Sequence, residues 1–286
     1  MAAKISAPAS LSAPPAWALA RVPGLERGEL PLELSRLAGG SVNEVFRIVS
    51  RSGRFVLRLD GAAWRRPGVD RERELALHRV AAEAGIAPAL VYAEPRSQGL
   101  LISAFEPGRL WQESDYADPQ ALRRLGERLQ ALHALPAPQV ARFDPWQVAQ
   151  DYVRLINGQR PAAVPAAELK RTLQQLRRSC AALGDDSAGG CIVHGDLAQS
   201  NLLEGSRLWL LDWEYAQRSD ALMDLACVLA YYPNAQRHGA EFAAAAGLGT
   251  AARAEALAPR LYIYRALSWL WYLARGERSA APQEGA

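Results

Sequence analysis

The chain carries only three cysteines in 286 residues, Cys180, Cys191 and Cys227, an odd number set far apart. No C-x-x-C pair or flanking histidine cluster accompanies them, which argues against a disulfide framework and against a structural zinc site. A reducing, cytoplasmic compartment fits that usage. Histidine is scarce as well, with four residues in the whole chain, too few to build a metal centre from imidazoles. Long hydrophobic runs are missing: none approaches the roughly 18 residues that a bilayer span requires. Near the start, Pro14 and Pro15 interrupt what a signal peptide would need as a continuous apolar core, so residues 1–24 read as a disordered leader. A strong excess of one charge is also lacking, since the net charge is +3 although arginine supplies nearly all of the 33 basic residues. Without such a field, neither nucleic acid nor a membrane surface is indicated as a partner. The expectation is a soluble protein, monomer or homodimer.

Half of the residues are hydrophobic, enough to bury a sizeable core in one large domain or two lobes. Between residues 37 and 60 the turn signals Gly39-Gly40 and Ser52-Gly53 each precede a β-rich run, the pattern of a small antiparallel sheet. Residues 70–84 read as a helix, with Asp70 as N-cap, acidic residues in the first turns and Gly85 as the stop. Two further strands are indicated at 89–92 and 99–104. After Glu106-Pro107-Gly108 the period changes. Leu122, Leu125, Leu129, Leu132 and Leu135 recur at three- and four-residue steps and define one face of a helix that ends before Pro136. Helical pattern continues at 163–183, 222–231, 240–246 and 252–274, interrupted by a polar loop at 184–190 and by short strands and turns over 191–217. A β-rich part (25–103) joined to a larger, mainly helical part (104–276), with a flexible tail (277–286), is a bilobal α+β arrangement.

The chemistry concentrates in the second part. His194-Gly195-Asp196 is followed five positions later by Asn201, and the run Leu208-Trp209-Leu210-Leu211 then delivers Asp212-Trp213-Glu214 at a strand end. Phosphoryl transfer needs a group to position the attacking hydroxyl and oxygen ligands for Mg²⁺, which bridges the phosphates of the nucleotide. Asp196, Asn201 and Asp212 supply such groups at the spacing of the kinase signature, with Gly195 in place of Arg and D-W-E in place of D-F-G. Taken alone, an H-x-D string is most often an ordinary turn, and His194 reads as a structural hydrogen-bonder rather than a base.

HGDLAQSN, LLDWEYA and Asp224-Leu225-Ala226 together resemble the choline kinase and aminoglycoside phosphotransferase superfamily, whose fold is protein-kinase-like. The resemblance runs from about residue 35 to about 275 and implies ATP and Mg²⁺ as cofactors and a small-molecule hydroxyl acceptor. It implies a phosphate loop at Gly39, Gly40, Ser41 and Asn43. It also implies a basic strand residue at Arg58, a helix acid at Glu74 that pairs with it, and an adenine-binding hinge at Ala104, Phe105 and Glu106. Asp196 would act on the acceptor hydroxyl, while Asn201 and Asp212 would hold the metal. Glu214 resembles the second acid of D-x-E members, which contacts metal or a cationic substrate. Ala198 departs from the His or Asn often found in that loop.

The C-terminal helix carries Tyr262, Tyr264, Trp269, Trp271 and Tyr272. Tyr262 and Trp269 share one face, and Tyr264 and Trp271 share another roughly 200° around. Both faces do not easily meet one core, so Trp269, Trp271 and Tyr272 are candidates for an acceptor pocket suited to a cation. Choline or ethanolamine is the first candidate acceptor, with thiamine next and an aminoglycoside third. A nucleotide-binding module without catalysis is the alternative from a different class. A hydrolase built on His194 and Asp196 would need more metal ligands than the chain offers.

Overall fold

The computed structural model describes residues 13–37, 43–61, 66–95, 99–158, 166–183, 190–277 and 280–283. The chain opens with helix α1 (Ala16–Leu19) and strands β1 (Glu33–Arg36), β2 (Glu44–Ser50) and β3 (Gly53–Leu59). Helix α2 (Arg71–Glu83) precedes β4 (Leu90–Glu94) and β5 (Leu100–Ala104). Short strand β6 (Arg109–Leu110) leads into α3 (Pro119–His133), α4 (Pro145–Gly158) and α5 (Ala166–Ala181). Strands β7 (Cys191–Val193), β8 (Leu202–Glu204), β9 (Leu208–Leu210) and β10 (Gln217–Ser219) frame the proposed site, and α6 (Leu222–Tyr231), α7 (Gly239–Ala245) and α8 (Ala254–Ala274) complete the chain.

The chain divides into two compact units, residues 1–64 with 88–106 and residues 65–87 with 107–286. The first unit is an antiparallel five-stranded sheet in the order β1-β2-β3-β5-β4. Alternation along β2, β3 and β5 sends Phe46, Ile48, Leu57 and Ile102 into its core and Arg58 to the opposite face from Leu57. Residues 13–24 are an ordered segment that contributes Ala18, Leu19 and Val22 to this core, and not part of a disordered leader. Ala18 and Val22 are almost fully buried, and the Ser50 hydroxyl donates to the Pro23 carbonyl at 2.6 Å, because a short apolar helix can cover one end of a half-buried sheet. Residues 1–12 lie outside the described residues.

Helix α2 belongs to the second unit, which differs from a division at residue 103. Its Asp70 cap accepts from the N–H groups of Glu72 and Arg73, and its Leu77 and Ala81 join the core of the larger unit. In α3 the leucine stripe is buried as its spacing predicts, with Leu122, Leu125, Leu129 and Leu132 in the same core. Helix α8 packs against α4, α5 and α6. Being covered on several sides, it buries Tyr262, Tyr264 and Trp269 together, which overturns the expectation that one aromatic face stands apart from the core. Among the described residues, no helix is long and apolar enough to cross a membrane.

Candidate active site

Strands β7 and β10 pair antiparallel, and β8 and β9 form an adjoining hairpin, so Asp196 and Asp212, 16 positions apart in the chain, leave neighbouring strand ends. The Leu211 N–H donates to the Asn201 carbonyl at 2.8 Å and closes the hairpin beside both. His194 adds a second tie. Its Nδ1 accepts from the Asp196 N–H at 3.3 Å, which places the ring proton on Nε2, 2.9 Å from the Leu211 carbonyl. The imidazole is fully buried, burial lowers its pKa, and its edge meets Trp213 at 4.9 Å, so it stays neutral and links the two carboxylate-bearing segments.

Asp224, from α6, receives the loop's backbone. Its carboxylate, fully buried, accepts from the N–H groups of His194 (3.1 Å) and Gly195 (2.9 Å) and meets His133 Nε2 at 3.0 Å. The sequence displays Asp224 only as part of a motif, since a role that depends on backbone groups 30 positions away has no local signature. From the other side the Tyr116 hydroxyl donates to the Leu197 carbonyl at 2.7 Å, and Gln199 N–H donates to the Tyr232 hydroxyl at 3.0 Å. Asp196 therefore sits on a loop anchored at nearly every residue.

Asn201 Nδ2 donates to both the backbone carbonyl and Oδ2 of Asp196, each at 2.9 Å. Two acceptors fix the amide, and its Oδ1 receives only the Ser200 hydroxyl, at 3.2 Å, among the hydrogen bonds described. An amide oxygen beside a carboxylate is a hard donor pair. Asp212 adds a third oxygen-bearing side chain on a backbone of φ 55° and ψ 82°, the single positive φ outside glycine among the described residues. Backbone of that kind in a non-glycine residue marks functional sites, where the surroundings hold it in place. No group of three or more His, Cys, Asp or Glu side chains is arranged for a metal among the described residues.

The Asp196 carboxyl is pushed up to about 6, first by burial and then by the charge of Glu214, against the opposing pull of the Asn201 hydrogen bond and Arg66. Glu214 is itself buried and held by two arginines. Arg66 Nη2 donates to its two oxygens at 2.8 and 2.7 Å, and Arg71 Nη1 reaches its Oε2 at 3.2 Å and Glu74 Oε2 at 2.7 Å. Burial works to lower the Arg66 pKa, but Glu214 and Tyr215 outweigh it and the guanidinium is held firmly charged. Arg66 escapes sequence reading because nothing near it in the chain announces a partner 148 positions later.

Gly39, Gly40 and Ser41 lie outside the described residues, while Asn43 is buried at the start of β2 and Arg58 is buried in β3. Arg58 and Glu74 fall in different units. Ala104 N–H donates to the Ala89 carbonyl and Phe105 N–H to the Arg54 carbonyl, with the Arg47 and Arg54 guanidinium groups 5.0 and 5.9 Å from the Phe105 ring centre; Glu106 follows, half-buried. On α8, Trp269 is in the core. Trp271 is half-buried with Arg275 over its ring at 4.6 Å, and Tyr272 is exposed. Tyr231, unmentioned by any motif, is an exposed ring at the end of α6, with 39% of its surface accessible and the Tyr264 ring edge-on to it at 6.2 Å.

Solved structures share this architecture. A choline/ethanolamine kinase family protein from Mesorhizobium loti matches with a TM-score of 0.71 and 26% identity, covering 90% of this chain and 83% of that one. Choline kinase LicA from Streptococcus pneumoniae matches with a TM-score of 0.70 and 20% identity over 86% and 85% of the two chains. A thermostable mutant of aminoglycoside phosphotransferase APH(4)-Ia, in a ternary complex with AMP-PNP and hygromycin B, matches at 0.66 and 17% identity over 91% of each. No curated protein sequence matches significantly. The phosphotransferase enzyme family model matches residues 33–259, from the first sheet strand through the anchored Asp196 loop and Asp212 into α8, and the chain belongs to that family.

Proposed function

We propose that the protein transfers the γ-phosphoryl group of ATP to the hydroxyl of a small metabolite. The observation that carries this reading is the 2.9 Å bond between the Asn201 and Asp196 side chains, with the segment that bears Asp212 tied to the Asn201 carbonyl through the Leu211 N–H and Asp212 itself on a left-handed backbone. Asp196 aligns the acceptor hydroxyl and takes its proton as the acceptor oxygen bonds to the γ-phosphorus. The bond to the β,γ-bridging oxygen breaks, and ADP leaves. A carboxyl pushed up to about 6 is a better proton acceptor near neutrality than an ordinary aspartate. Asn201 Oδ1 and the Asp212 carboxylate would hold Mg²⁺, which would supply positive charge to offset that of the phosphates. Gly39, Gly40, Ser41, Asn43, Arg58 and Glu74 serve the nucleotide phosphates, and Ala104, Phe105 and Glu106 serve the adenine. Nucleotide binding is supported by relatives solved with AMP, with ADP and with AMP-PNP.

For the acceptor we favour a small cationic alcohol of the choline or ethanolamine type. Support comes from the 26% identity to a choline/ethanolamine kinase family protein, and the exposed Tyr231 ring at the end of α6 is of the kind that attracts quaternary ammonium groups. Trp271 and Tyr272 are the further candidates on α8. The test is incubation of the purified protein with MgATP and choline, ethanolamine, thiamine, an amino sugar or hygromycin B, read by the mass of a phosphorylated product. A choline or ethanolamine phosphate supports the reading in full. Product from another acceptor alone overturns the acceptor class, and nucleotide binding without any product supports a non-catalytic module.

A further inference from the structure

The residues that follow Asp212 are gripped by helix α2 and the turn before it. Arg71, the first residue of the helix, donates to Glu214 at 3.2 Å. Arg73 donates from Nε to the Ala216 carbonyl at 3.0 Å. Two turns on, His78 stacks on the fully buried Trp213, with ring centres 5.9 Å apart and planes 16° apart. Arg66 closes the other side of Glu214 with its two short bonds. Residues 213, 214 and 216 are each held by the stretch 66–78, immediately after the single left-handed non-glycine backbone among the described residues.

We infer that helix α2 is a positioning element for Asp212, and that Glu214 is the strut through which it acts. The inference rests on reading Asp212 as a metal ligand. A non-glycine residue keeps a left-handed backbone only where its surroundings over-determine it, and the three contacts on residues 213–216 are that over-determination. Glu214 is committed to this task by its geometry. A carboxylate shared between two buried guanidinium groups, one of them bonded to both its oxygens, presents a neutralised face, and a cationic acceptor or a metal would have to displace an arginine to reach it. Glu214 and Arg71 are therefore positioning residues rather than ligands of metal or acceptor.

The test compares the full-length protein with Arg71→Gln, Glu214→Gln and the double variant. Calorimetry measures ADP affinity with excess Mg²⁺ and again with chelator, and the ratio is the metal-dependent tightening. Each single variant is expected to lose about tenfold of that ratio, the scale of outer-shell changes at metal sites, while metal-free ADP affinity stays within about twofold and the double variant falls close to the singles. Full tightening in Arg71→Gln with loss in Glu214→Gln overturns the inference and makes Glu214 a direct ligand. Losses that multiply in the double variant overturn it as well. Should Arg71→Gln fail to fold, Arg73→Gln loosens the same segment at Ala216 without uncovering a buried carboxylate, and full tightening there is equally fatal. The failures are distinguishable: unaltered protein that binds no nucleotide with Mg²⁺ sinks the functional reading. Additive shifts of the unfolding midpoint in the nucleotide-free Arg71 and Glu214 variants sink the strut alone.

Discussion

Replacing Gly195 by alanine perturbs the site at its tightest point. The residue has φ +76°, a left-handed backbone that costs an L-residue about 1–2 kcal/mol. A Cβ built there lies 2.7 Å from the Tyr215 carbonyl oxygen, a backbone atom that cannot swing aside as the tip of a side chain can. Relief requires the loop to move away, and the loop is tied at the same residue by the Gly195 N–H to Asp224 at 2.9 Å, a charge-assisted bond worth about 1.5–3 kcal/mol. The two terms give about 2.5–5 kcal/mol of destabilisation if both are lost in full. At a urea slope of about 3 kcal/mol per molar, the unfolding midpoint followed by tryptophan fluorescence drops by about 1 M or more. Gly276→Ala is the control, because its φ is +75° with no atom within 4 Å of the added Cβ, and it costs only the conformational term of about 1–2 kcal/mol. Where Gly195→Ala remains folded, displacement of the adjacent Asp196 lowers turnover by about tenfold to a hundredfold. If Gly195→Ala is no more destabilising than Gly276→Ala and turns over at the normal rate, the close approach to Tyr215 is not what holds the loop.

Asp196→Asn preserves shape and removes the proton acceptor; we expect turnover to fall by about 10²–10⁴ with no loss of thermal stability, measured by product mass and calorimetry. Because Asp196 is pushed up to about 6, the acidic limb of kcat/KM lies near pH 6, with activity lost below it; a profile flat across that value contradicts the assignment. The sign for stability is the opposite one: between about pH 4 and 6 the folded state retains a proton that the unfolded chain has released, so the nucleotide-free protein loses stability as pH rises through that window, a dependence that Asp196→Asn abolishes in denaturation titrations. Gly126→Ala places a Cβ 2.7 Å from Ala245 Cβ and 2.9 Å from the Phe242 carbonyl where α3 crosses α7, and overpacking of about 1–3 kcal/mol lowers the melting temperature. Burial first, and Asp144 and Asp224 respectively after it, push the thiols of Cys180 and Cys191 up to about 12, so neither reacts appreciably with a thiol reagent at pH 8 until the protein is unfolded in urea.

Short-range patterns were legible because their causes are short-range. The leucine stripe of α3, the Asp70 cap of α2 and the turn-strand alternation of β2 and β3 each depend on neighbours within a few residues, and each stands where its spacing places it. Two readings failed for a common reason. The segment 13–24 looked disordered because its prolines and small residues carry little propensity of their own, yet it is ordered by the sheet it covers. The two aromatic faces of α8 conflict only where a single surface packs on the helix, whereas α4, α5 and α6 supply several.

By itself the sequence determined the class of chemistry, since Asp196, Asn201 and Asp212 stand at a spacing in which strand ends and tight turns leave little freedom. It also determined the α+β order of elements, through the change of hydrophobic period near residue 107. Only the tertiary structure decided what Glu214, Asp224, Arg66 and Arg71 touch. A buried charge takes its role from whatever meets it in three dimensions. Here Glu214 meets two guanidinium groups that lie more than 140 positions earlier in the chain, and Asp224 meets two amides of the Asp196 loop. Propensity and periodicity carry no information over such separations. Burial converts those encounters into structure, because an unpaired charge in the interior is costly and a paired one holds its neighbours in place.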